Sequence, residues 1–320
     1  METRGPRPQR YGYARILNPA AAQILPARGT LRLVPYAALL GAMLLFTVGT
    51  SFAKQLFADV GAEGTAFYRA GFSAVVLVAL WRPWRRAWTR RELADMALYG
   101  ASLGAMNLSF YKALATLPLG VAMAIEFLGP LCVALVHARR LVHFAWIGLA
   151  VVGLGLLLPI AGPVRMLDPT GVGFALLAAL FWALYIVFGQ RGGHVHPGHA
   201  VAVGMTTAAL VIAPFGIARA GLRLFDPRLM ALGFGAGIVS SALPFSLERL
   251  ALRGIPHRTF GIMVAAEPAV GAIAGMIMLG EMLSVRQGIA IACVIAAGAG
   301  SVLWNDADGH ALPDDPLRGS

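Results

Sequence analysis

The sequence predicts an all-α membrane protein whose ten transmembrane helices form two inverted five-helix repeats. Three observations lead there. Of 320 residues, 58% are hydrophobic and 13% charged, against the roughly half apolar, quarter charged mix of soluble domains. From Val34 to Trp304 the apolar residues fall into successive segments, each long enough to cross a bilayer core of about 30 Å. Two prolines, Pro118 and Pro130, recur 138 residues later as Pro256 and Pro268.

Residues 1–33 are polar, carry Arg4, Arg7, Arg10, Arg15, Arg28 and Arg32, and lack a long apolar run. They read as a disordered cytoplasmic tail. A cleaved signal peptide needs a continuous apolar core, and the first one begins at Val34. A misassigned start codon is the other account of this leader.

The predicted spans are 34–53, 65–81, 96–115, 119–136, 143–161, 171–189, 199–218, 229–248, 258–279 and 286–304. Transmembrane strands would be about half as long and alternate in polarity, so helices are expected. The first repeat then covers 34–162 and the second 163–304, with a cytoplasmic C-terminal tail over 305–320. An odd number of spans per repeat forces the two copies into opposite orientations, the inverted plan of many secondary transporters.

Net charge is +11 and the isoelectric point is near 10.6, but the arginines cluster between apolar runs instead of forming one basic face. That distribution excludes a nucleic-acid surface and reads as loop charge. On the tail side lie Arg82, Arg85, Arg86, Arg90, Arg91, Arg139, Arg140, Arg191, Arg249 and Arg253. The other side has Lys54, Lys112, Arg165 and Arg286, with one counter-example in the loop of Arg219, Arg223 and Arg228. Both termini are therefore expected in the cytoplasm.

Charges within the spans are few and costly, about 2.5–3.5 kcal/mol each at a helix centre on insertion scales. Glu126 falls near the middle of the fourth span, Glu267 near the middle of the ninth and Arg69 in the second. Lys54, Lys112 and Glu248 lie near span ends, where long side chains reach the interface. Pro130 and Pro268 lack the N–H groups that would bond the carbonyls of Glu126 and Val264, so a polar cavity is expected between these two spans. One glutamate then carries a proton while the other contacts an ammonium group, and Arg69 pairs with a carboxylate. Asn107, Ser109, Tyr111, Trp182, Tyr185 and Ser246 are further candidates to line the cavity. The competing reading makes the intramembrane charges structural and places the aromatic residues in interfacial belts.

Other signals are weaker. The GxxxG pairs Gly100/Gly104 and Gly271/Gly275 suit close helix contact. The run Gly233, Gly235, Gly237 lacks the preceding strand and following lysine of a phosphate loop. His194, His196 and His199 flank Pro197 and Gly198, which favours a cytoplasmic turn over a metal site. Cys132 and Cys293 sit in apolar runs and read as small buried packing residues. No metal or cofactor is expected. A membrane-embedded enzyme is the second class to weigh, but no nucleophile and base occur at a usable spacing.

The stretch GEMLSVRQGIAIACVIAAGAG at 280–300, with Gly280, Glu281 and Gln287, resembles the closing motif of the EamA group of the drug/metabolite transporter superfamily. Residues 117–136 (LPLGVAMAIEFLGPLCVALV), 181–191 (FWALYIVFGQR) and 258–281 (RTFGIMVAAEPAVGAIAGMIMLGE) look like segments of its bacterial threonine and homoserine exporters. The likeness covers about 34–303, and the leader and acidic tail depart from it. It implies a proton-driven exporter of small amino acids in the bacterial inner membrane. Exporters of another metabolite or drug share the group, and monomer and homodimer both stay open.

Overall fold

The computed structural model describes residues 28–136, 141–157, 167–191, 195–252, 260 and 263–309. By its contacts the chain divides into a leading unit, Met1–Val34, and a main unit, Pro35–Ser320. Every described element is helical. In chain order these are α1 (Arg28–Lys54), α2 (Phe57–Trp81), α3 (Arg90–Leu114), α4 (Leu119–Glu126), α5 (Leu128–Val136), α6 (Leu141–Leu157), α7 (Pro169–Arg191), α8 (Pro197–Ala220) and α9 (Pro227–Gly237). A π-helical turn, Ile238–Ala242, leads into α10 (Leu243–Leu252), followed by α11 (Glu267–Leu279) and α12 (Val285–Gly309).

Among the described residues, five helical stretches are long and apolar enough to cross a membrane: Leu33–Lys54, Phe57–Arg85, Pro169–Gly189, Gly198–Phe225 and Pro227–Glu248. Shorter apolar helices cover Leu119–Val133, Phe144–Gly153, Glu267–Leu279 and Val285–Gly300. Helix α1 begins at Arg28 and α12 runs to Gly309, so both overrun the predicted tail boundaries. Residues 1–27 and 310–320 of those tails lie outside the described residues.

Local chemistry sets the helix ends. Thr89 and Glu92 form a capping box that opens α3, each side chain meeting the other's backbone N–H. Asp226 caps α9 ahead of Pro227, and the His196 ring caps α8 ahead of Pro197 through Nδ1, which accepts from the Gly198 N–H. Gly280 closes α11 at φ 63°, a conformation that favours glycine. His196 thus does turn work, and His194 lies outside the described residues.

The packing departs from the plan of a soluble protein at the outer surface. Val75, Leu210 and Ile277 are exposed, whereas Thr47, Thr50, Ser51, Arg69, Asn107, Glu126, Ser240 and Ser241 are buried. An apolar exterior around a core that is itself mainly apolar, with a few polar side chains set into it, suits lipid as the solvent. Helix α2 packs on α8, α3 on α7 and α8, α4 on α11, and α6 on α12. Small residues bring these backbones together. Gly100 and Gly104 of α3 face Gly204, Thr207 and Ala208 of α8, while Gly120 of α4 faces Ala272 of α11. The run Gly233–Gly237 is helical, with Gly233 against Tyr68 and Gly237 against the Arg69 carbonyl. Cys132 is exposed and Cys293 half-buried, so the expectation that both are buried is corrected: Cys132 sits on the outer face of α5.

A candidate transport cavity

Two helix breaks and a π turn create the site. The predicted fourth span is broken at Phe127, between α4 and α5, and Glu126 is the last residue of α4. Glu267 is the first residue of α11. The two glutamates therefore stand at helix junctions, not in mid-helix as the spacing suggests. Pro130 and Pro268 lie in the first turns of α5 and α11, where a missing N–H costs nothing, so they start helices instead of kinking them.

The cavity holds about 130 Å³. Among the residues lining it are Phe46, Arg69, Asn107, Met123, Glu126, Phe127, Trp182, Tyr185, Ser240, Phe245, Glu248, Glu267 and Pro268. Drug-sized pockets run about 300–1,000 Å³, so this one suits a smaller molecule.

Arg69 organises one wall. Its Nε donates to Ser240 Oγ and its Nη2 to the Ser240 carbonyl, both at 3.0 Å. Its Nη1 donates to Asn107 Oδ1. Asn107 is held in turn by donating from Nδ2 to the Leu103 carbonyl at 2.8 Å. The Ser240 carbonyl is open to Arg69 because the residue four positions on is Pro244, which has no N–H. Phe46 and Tyr111 put their rings 5.0 and 5.5 Å from the guanidinium carbon, within cation–π range. Three of five guanidinium N–H donors are thus used, all on neutral acceptors, and among the described residues Arg69 makes no ion pair.

The other wall is acidic. Glu126 is within electrostatic reach of both Arg69 and Glu267, and Glu267 of Glu248. Three carboxyl groups and one guanidinium therefore share a small space, a layout that can engage both charges of a zwitterion. The aromatic side is braced by Phe127 edge-on to Trp182, centroids 6.0 Å apart, and by Tyr185 stacked on Tyr99 at 4.7 Å with a 3.0 Å hydroxyl contact.

Of the residues singled out in the sequence, Glu126, Glu267, Arg69, Asn107, Trp182, Tyr185 and Pro268 meet at this cavity. Tyr111 does not line it: the side chain is fully buried under Arg69, with no hydrogen-bond partner for its hydroxyl among the described residues. Pro130 lies off the lining. Ser246 donates back to the Ala242 carbonyl at 2.7 Å, the usual retreat of a helical serine.

Ser240 and Glu248 line the cavity unanticipated. The signal for Ser240 was Pro244 inside a predicted span; Glu248 was placed at a span end, but α10 continues to Leu252 and turns it inward. Lys54 and Lys112, expected to reach the interface, instead form ion pairs with Glu281 at 2.6 Å and Glu63 at 3.2 Å.

Comparison with known proteins bears on this site. Residues 169–303 match the EamA-like transporter family. The threonine/homoserine exporters RhtA of Escherichia coli and Salmonella typhimurium are each 44% identical over 270 residues, covering 84% of this chain and 92% of theirs. One solved crystal structure aligns over 88% of this chain and 99% of its own with a TM-score of 0.55; at 20% identity it speaks for the fold alone. Family membership answers the enzyme reading, because the family transports. With apolar helices outside and a charged cavity inside, the chain is a multi-pass membrane protein and belongs to the EamA-like transporter family.

Proposed function

We propose that the protein exports threonine, homoserine or a related small amino acid across the bacterial inner membrane, by alternating access and in exchange for protons. The observation that carries this reading is the cavity. Arg69 keeps two N–H donors beyond its three named bonds for a substrate carboxylate, and Glu126, Glu248 and Glu267 offer acceptors for an ammonium group and sites for a proton. Asn107 and Ser240 position Arg69, while Trp182 and Tyr185 bound the space. The 44% identity to named threonine/homoserine exporters supports the substrate class, and 130 Å³ favours it over a drug.

The architecture that goes with this function has ten spans in two inverted five-helix halves, 34–162 and 163–304, with both termini cytoplasmic. Supporting it, α2 with α8, α4 with α11 and α6 with α12 pair corresponding members of the two halves.

Purified protein in liposomes loaded with threonine tests the proposal. Efflux driven by an inward proton gradient is expected, with Glu126→Gln and Glu267→Gln each lowering flux or its pH dependence. Absence of flux of any small amino acid overturns the substrate class, and flux indifferent to the gradient overturns proton exchange.

A further inference from the structure

Three helices that line the cavity, α1, α4 and α11, meet again at a second point. Lys54 ends α1, about 12 Å beyond cavity-lining Phe46 at 1.5 Å per residue. Leu119 begins α4, about 10 Å before Glu126. Helix α11 runs about 18 Å from Glu267 to Leu279 and turns at Gly280 into Glu281.

There the Lys54 ammonium donates to Glu281 Oε1 at 2.6 Å and to the Leu117 carbonyl at 3.3 Å. Glu281 Oε2 accepts from the Leu119 N–H at 2.8 Å. Pro118 provides no side-chain cap for α4, so a carboxylate more than 160 positions away satisfies its first turn. Both partners are partly shielded, their side chains 21% and 12% exposed. Outside them opens a vestibule of about 780 Å³ bounded by Lys54, Thr116, Pro118, Glu281, Ser284 and Gln287. Inside them α4 and α11 are pressed together, Gly120 on Ala272 and Gly271 on Met123. A polar stripe on α1, the buried Thr47, Thr50 and Ser51 followed by the half-buried Lys54, connects the two levels. Among the described residues, the Thr50 hydroxyl in that stripe has no hydrogen-bond partner.

We infer that Lys54 and Glu281 form a gate, closing the central cavity toward the vestibule at the face where α1 ends and α4 begins. Opening it requires breaking one ion pair and freeing the α4 terminus, after which α4 and α11 separate along their glycine contacts. A salt bridge serving only to hold a loop would need neither a vestibule outside it nor a cavity-lining helix ending in each partner's segment. The direction of release rests on the export reading; the gate itself does not.

The test uses a protein with Cys132→Ser and Cys293→Ser and a cavity reporter, Met123→Cys, in liposomes, labelled by a membrane-impermeant maleimide from each face. Lys54→Met removes the ion pair but leaves Glu281 capping α4, and Glu281→Gln removes the charge but keeps an acceptor for Leu119. Both are expected to raise labelling from the vestibule face about tenfold, the effect of losing one charge-assisted bond on a two-state equilibrium. Unchanged labelling in both overturns the gate. Independently, a Lys54→Cys, Glu281→Cys pair bridged by a cleavable thiol cross-linker should block labelling of the reporter from that face until the linker is cut; full labelling in the bridged protein also overturns it. Labelling that responds while threonine flux is absent refutes the substrate and leaves the gate standing.

Discussion

Replacing Arg69 is the perturbation whose size can be worked most directly from the structure. The side chain is 3% exposed and ties three elements together: α2, which carries it, α3 through Asn107, and the π turn through both polar oxygens of Ser240. Arg69→Met keeps much of the volume under Phe46 but leaves Asn107 Oδ1 and the Ser240 carbonyl buried without their donor. Each such orphan costs about 1–3 kcal/mol. Ser240 Oγ still donates to the Ala236 carbonyl at 2.6 Å, so it adds little. The expected loss is on the order of 2–6 kcal/mol, a large share of the about 5–15 kcal/mol typical of folded proteins. Arg69→Lys separates stability from geometry. It keeps the charge, but one ammonium cannot span Asn107 and both Ser240 oxygens as a planar fork does. Thermal unfolding in detergent should therefore rank native above Arg69→Lys above Arg69→Met, and threonine efflux should fall sharply in both variants. If Arg69→Met unfolds at the native temperature, the three-element tie carries no weight and the reasoning fails.

Two further outcomes follow from named contacts. Gly100→Ala would place its Cβ 2.6 Å from the Gly204 carbonyl oxygen, forcing α3 from α8; a loss of about 1–3 kcal/mol is expected, read as a lower unfolding temperature, while Gly148→Ala, with nothing among the described residues within 4 Å of the new atom, should not lower it. Asp168 precedes α7 and accepts from the Thr170 and Gly171 N–H groups at 3.2 Å each; the Thr170 amide above all holds its carboxyl below the usual range. That contribution is present above the unfolded value of about 3.9 and is lost as pH falls through the lower folded value. The unfolding temperatures of Asp168→Ala and native protein should thus differ at pH 7 and converge in strong acid, and a gap independent of pH would refute the assignment.

Much of the fold was legible because the bilayer imposes a length and a composition on every crossing. Segments such as 171–189 and 199–218 lie within α7 and α8 for that reason. Where backbone detail departs from a plain helix, periodicity is silent. The break at Phe127, the positive-φ Gly61 inside α2 at φ 73° and the π turn at Ile238–Ala242 leave the run of apolar residues unchanged, so they carry no signal in it. Glu248 and Tyr111 show the same limit from opposite sides: one looked interfacial and lines the cavity, the other looked like a liner and is sealed beneath Arg69.

The sequence by itself determined that this chain lives in lipid and which few charges must be accommodated at depth, because burying a charge in hydrocarbon is expensive wherever it occurs. Only the tertiary structure decided how those charges are accommodated. Arg69 meets Ser240 across 171 positions of chain and Lys54 meets Glu281 across 227. No local pattern encodes such pairings; they arise when close-packed helices bring distant polar groups within reach and leave each one no better partner.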